Sequence, residues 1–192
     1  MTRELALAVL LGAVVSAQAR EATWLDRPLA NWNMPGPVMP SVPDKAVSIA
    51  EITNRCPFLP MRRSTSGERA VADAGWLPFH MFDRHLIERD VEIVGGLAGA
   101  DGMCDPVDFN VFVFVNGQLA GTLSPREMTS RTDGSIGGAI RLSDDIISAQ
   151  FARYGPSDPP CCPSERITVR YRVDRSGVLP IVVPVAVQPT RR

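Results

Sequence analysis

The residues in this chain best suited to chemistry are four cysteines, two histidines, a cluster of aspartates and a row of arginines. Cys56, Cys104, Cys161 and Cys162 make an even set, and in an oxidising compartment an even set reads as disulfides. Four cysteines allow three connectivities. Bridged residues normally place their Cα atoms about 4.4–6.8 Å apart, whereas neighbours sit about 3.8 Å apart across a trans peptide. That comparison favours pairing Cys56 and Cys104 each with one member of the Cys161–Cys162 couple. As thiolates, Cys161 and Cys162 would suit a soft metal, although they lack C-x-x-C spacing and flanking histidines.

His80 and His85 are five apart, which does not align them on a helix face as a zinc pair at i and i+4 would be. Asp83 and Asp90 lie near them in sequence and would be their partners in metal binding or base chemistry. Asp101, Asp105 and Asp108 crowd one segment around Cys104. Paired carboxylates can hydrolyse a glycosidic bond or hold calcium, but Asp-Gly and Asp-Pro are also ordinary turn pairs and the spacing matches no EF-hand. No Gly-x-Ser-x-Gly element is present. Arg166, Arg170 and Arg172 alternate with Ile167, Val169, Tyr171 and Val173, so a strand would place all three guanidinium groups on one face. Arg153 and Arg141 lie on neighbouring expected strands and would join them, giving either a solvated face balanced by Asp and Glu, the commoner use of exposed charge, or a candidate anion-binding face built for charge-assisted forks.

The elements that must carry these residues are mostly strands. Residues 20–54 are proline-rich and read as an extended arm pinned by Trp24 and Trp32, with an aromatic platform for sugar or peptide as the alternative use of the two rings. Thr65-x-x-Glu68 is a capping box for a helix over 67–74, with Ala70, Val71 and Ala74 as its apolar stripe, Gly75 as its stop and Trp76 packing back on it. Val91–Val94 reads as a short strand entering a glycine-rich stretch at 95–102. Phe109–Val115 is almost continuously apolar, as expected of a strand buried on both faces. Asn116-Gly117 then signals a two-residue hairpin into a return strand at 118–123. Ser124-Pro125-Arg126-Glu127 has the chemistry of a helix start and predicts one or two turns ending near Ser130. Strands follow at 136–142, 146–154, 166–173 and 181–187, with the loop 156–163 between the second and third, although Ile146, Ile147, Gln150, Phe151 and Tyr154 also fit helical spacing. Pro184 assigns the last strand to a sheet edge. The expected class is α+β, mainly β: an antiparallel sheet of about six strands with two short helices.

Compartment is set by the first nineteen residues. Arg3, the eleven-residue apolar run Leu5–Val15 and the small-x-small triplet ending at Ala19 have the form of a secretory signal peptide cleaved after Ala19. Eleven residues make about 16 Å of helix, too short for a hydrocarbon core of about 30 Å. The first cysteine is Cys56 rather than the residue after the cleavage point, so a soluble mature product without a lipid anchor is expected. It would hold 173 of the 192 residues, the size of one domain. The net charge of −1 argues against bulk attraction to nucleic acid. Nineteen of the 20 basic residues are arginine, with Lys45 the exception, as a GC-rich genome would produce.

The motifs taken together resemble a known family. Asp101-Gly102-Met103-Cys104-Asp105-Pro106, Phe112–Gly117, Gly121–Pro125, Ser130–Gly134 and Arg153–Ser164 stand in order, with Ala74-Gly75-Trp76 ahead of them. Over roughly residues 54–173 the chain is similar to the LppP/LprE lipoprotein family of bacteria. The resemblance implies an extracytoplasmic protein of the cell envelope with no established activity and no catalytic residues to carry over. The expected organisation is a signal peptide at 1–19, an arm at 20–54 and an LppP/LprE-like β-rich domain at 55–190.

The leading functional expectation is a periplasmic or secreted binding or interaction domain. It needs no cofactor, does not span a membrane or bind nucleic acid, and has as partner an anionic envelope component or another exported protein. A hydrolase of an envelope glycan using the aspartates near Cys104 is the alternative, and metal handling by Cys161 and Cys162 the second.

Overall fold

The computed structural model describes residues 22–43, 48–59, 63–80 and 86–190. The signal-peptide segment, His85 and Asp83 lie outside the described residues. Among those described, two short helices and nine strands form three layers. The helices are α1 (Ile49–Arg55) and α2 (Ser66–Asp73), and the strands are β1 (Leu77–Phe79), β2 (Leu86–Glu88), β3 (Val91–Ala100), β4 (Pro106–Val115), β5 (Gln118–Thr122), β6 (Ile136–Ser143), β7 (Ile146–Arg153), β8 (Glu165–Asp174) and β9 (Ile181–Thr190). The mainly antiparallel β class holds, with the strands divided between two sheets. One runs β1-β3-β4-β5 with β2 also paired to β3, and the other runs β6-β7-β8-β9.

The division follows from the side-chain pattern. β3 is buried at every position and β4 from Phe109 onward, because their sheet is covered on both sides. Val91, Ile93, Leu97, Phe109, Val111, Val113 and Val115 meet Ile147, Phe151, Val169 and Tyr171 of the other sheet in the main core. Val94, Ala98, Phe112 and Phe114 project the opposite way, onto Val71 of α2 and Trp76. β8 alternates buried and exposed from Val169 to Val173, since only one face of its sheet is covered.

Several local expectations hold. Thr65 and Glu68 form the capping box of α2, and Gly75 takes φ +89° just past its end. Trp76 then packs edge-on against Phe112 with ring centroids 5.5 Å apart. Asn116 and Gly117 adopt φ 51° and 76°, the pair of positive values a type I′ hairpin requires. β9 lies at the sheet edge, where Pro184 is tolerated.

Four expectations are corrected. The glycine-rich stretch does not leave the sheet: β3 runs through Gly95 and Gly96 to Ala100. A Cβ on Gly96 would come within 2.8 Å of the Phe112 ring, so the glycines are there to admit aromatic side chains. The helix expected after Ser124 is not formed. Leu123 donates to the Val111 carbonyl, Met128 exchanges hydrogen bonds with Phe109, and Ser130 donates to the Pro106 carbonyl. These backbone groups follow the β4 edge, and the buried Met128 side chain enters the core, which outweighs a helix-start signal. The end of the proline-rich arm is not extended, because Ser48 caps α1 by accepting from the Glu51 N–H. β1 and β2 were not expected, being too short to show a period.

The arm belongs to the core. Trp24 stands edge-on to Phe151 at 5.0 Å and Trp32 to Tyr171 at 6.1 Å, so both rings anchor the arm, while their half-exposed sides line a cavity beside it. Their indole N–H groups donate to the Gly134 and Thr122 carbonyls. The Trp76 indole donates to the Pro40 carbonyl at 2.7 Å, which carries the arm around to the helix side.

Candidate functional site

The strand registers place the arginines of the second sheet. Ladder partners share a face, so Arg141, Ser148, Arg170 and Ala186 form one row across β6, β7, β8 and β9. The neighbouring rows on that face contain Arg172 beside Ile146, Thr168 between Gln150 and Gln188, and Arg166 between Ala152 and Thr190. Arg141 and Arg170, two strands apart, are separated by about 10 Å at their backbones, and Arg170 and Arg172 by about 7 Å along β8. Arg141, Arg170 and Arg172 are exposed and Arg166 is half-buried. The row partners are neutral. Arg172 approaches Asp174 at 3.9 Å, the edge of an ion-pair contact. The Nε of Arg166 is enclosed and makes no hydrogen bond.

Arg153 is not brought to this face. It pairs with Glu165 in the ladder and therefore has the opposite parity to Arg166. Its side chain is 4 % exposed and is held by Asp26 at 2.5 Å, Asp133 at 3.4 Å and the Thr23 hydroxyl at 3.1 Å. It clamps the arm to the second sheet. Period-two counting within β7 would have shown the parity, but only the register shows which face is covered.

The cysteines pair differently from the expectation. Cys56 bridges Cys104 with Cα atoms 5.7 Å apart, and Cys161 bridges Cys162 across 3.8 Å. The end of α1 lays Cys56 against the β3–β4 loop, within the normal span for a bridge, and this contact could not be read from spacing. Among the described residues no group of three or more His, Cys, Asp or Glu side chains gathers to hold a metal.

The aspartates around Cys104 are used by the loop itself. Asp101 accepts from the backbone N–H groups of Asp105 and Met103, both at 2.8 Å, which hold its carboxyl below the usual range. A general acid needs the opposite shift. Asp105 pairs with Arg131, and Asp108, at φ 48°, takes a long contact with the Thr129 hydroxyl. None of the three lines the cavities beside the arm.

His80 contacts the buried Glu68 at 2.8 Å, and Asp90 is bound by Arg175, so neither completes a histidine-based site. Sequence reasoning missed Glu68 as a buried carboxylate, because its capping role gave a sufficient account of it. Burial works against its ionisation, yet hydrogen bonds from Ser64, Thr65 and His80 outweigh that and hold its pKa at about 2. Glu92 on β3 accepts from the Gly67 N–H at 3.2 Å, so two carboxylates secure the start of α2.

No curated protein and no solved structure matches the chain. Among the described residues no helix is long and apolar enough to cross a membrane. The matching segment starts in β3 and ends just beyond β8, so it contains the hairpin, the Cys161–Cys162 loop and three arginines of the β8 face. Residues 92–176 match the model of the LppP/LprE lipoprotein family.

Proposed function

We propose that this chain is exported to the periplasm or beyond and acts there as a non-catalytic docking domain. It holds an acidic component of the envelope on Arg141, Arg166, Arg170 and Arg172. The observation that carries the reading is that these four guanidinium groups share the open face of the second sheet, and neutral residues flank them in every row. Among the described residues Arg141 and Arg170 form no ion pair. Planar guanidinium groups with spare donors suit phosphate or carboxylate oxygens. The leader-like segment ending at Ala19 and the family match support export.

Inorganic polyphosphate and dextran sulfate serve as probes, with neutral dextran as control, titrated into the full mature chain. The two polyanions bind, more weakly as salt rises, and neutral dextran does not. Replacing Arg141, Arg170 and Arg172 together by serine lowers the affinity about tenfold or more. A triple variant that keeps its fold and the parent affinity would refute the docking face.

A further inference from the structure

We propose that the Cys161–Cys162 bridge is a thiol–disulfide exchange site rather than a structural staple. A disulfide stabilises chiefly by closing a loop of chain, and this one joins residues one apart in sequence. It ties no element to another. Cys56–Cys104, by contrast, spans 48 residues, with Cys56 fully buried. Both cysteines of the vicinal pair are exposed.

The loop between β7 and β8 presents the pair in a fixed way. The Asp158 carboxylate accepts from the Gly155 N–H at 2.6 Å and the Ser164 N–H at 2.7 Å, closing the base of the loop. The Cys162 N–H donates to the Pro159 carbonyl at 2.9 Å, and the Tyr154 hydroxyl donates to the Pro160 carbonyl at 2.8 Å. Pro159, Pro160 and Pro163 stiffen the chain on both sides.

The partner is a dithiol. One of its thiolates attacks a sulfur of the pair, forming a mixed disulfide and releasing the other cysteine as a thiolate that takes up a proton. The second thiol of the partner then displaces the remaining cysteine sulfur. The partner leaves as a disulfide, and Cys161 and Cys162 become two thiols, having received two electrons and two protons.

The test uses the full mature chain in graded dithiothreitol, followed by alkylation and peptide mapping. Cys161 and Cys162 are alkylated at about a tenfold lower dithiothreitol concentration than Cys56 and Cys104. The urea midpoint does not move when only that pair is reduced. The selectively reduced chain binds one phenylarsine oxide, and the C161S/C162S variant binds none. Opening of Cys56–Cys104 first or at the same concentration, native bridges that link the vicinal couple to other cysteines, or unfolding on reduction of the pair would each overturn the proposal. The order of alkylation is read on the parent chain and so does not depend on the variant folding.

Discussion

Asn33 and Val182 lie 149 positions apart, and the Asn33 Nδ2 donates to the Val182 carbonyl at 2.9 Å. The same amide group donates to the Thr122 carbonyl at 3.0 Å and accepts from the Thr122 N–H at 2.9 Å. One buried side chain of the arm thus ties the β5 edge of the first sheet to the β9 edge of the second. Gly121 makes room for it, since a Cβ there would fall 2.4 Å from the Asn33 side chain. Asn33→Ala leaves buried backbone groups at both edges without partners and costs about 2–3 kcal/mol in urea unfolding. Gly121→Ala, which also meets an unfavourable φ of +143°, is comparably destabilising.

Arg153 secures the other end of the arm. Arg153→Ala leaves Asp26 and Asp133 without their shared cation at a mostly buried position. It lowers stability by about 2–4 kcal/mol and speeds chymotryptic cleavage at Trp24, Leu25 and Trp32, where limited digestion reads it.

Loss of the Cys56–Cys104 bridge by C56S/C104S removes a closure of 48 residues. The loop-entropy relation puts the expected cost at about 4 kcal/mol. Differential scanning calorimetry of this variant beside C161S/C162S shows a clear fall in Tm for the first and little change for the second.

Glu68 makes the fold acid-sensitive. Its pKa is depressed from 4.5 to about 2 by hydrogen bonds that favour the carboxylate. A depressed acid contributes stability above its unfolded pKa and loses it as pH falls toward the folded one. Stability therefore declines between about pH 4.5 and pH 2, and Glu68→Gln flattens that part of the curve while lowering stability at neutral pH. Urea midpoints across the acid range measure both effects.

Much of this architecture was legible because it rests on local chemistry. The Thr65–Glu68 capping box, the Asn116-Gly117 turn, the doubly buried Phe109–Val115 strand and the alternation of Arg166–Val173 each depend on residues close in sequence. The arginine row followed from the same period of two. What misled was local chemistry that distant partners overrode: a proline-led helix start at 124–127 gave way to pairing with β4, and a glycine run became strand because aromatic rings fill the space above it.

By itself the sequence determined which residues are apolar, where turns with positive φ fall, and that Arg166, Arg170 and Arg172 face one way. Only the tertiary structure decided which cysteines bridge, that Arg153 turns inward to hold the arm, and that one sheet is covered on both faces while the other is open. The reason is physical: hydrogen-bonding preference and side-chain alternation act over a few residues. Pairing across 48 or 149 positions depends on how the layers stack, and no single segment encodes that.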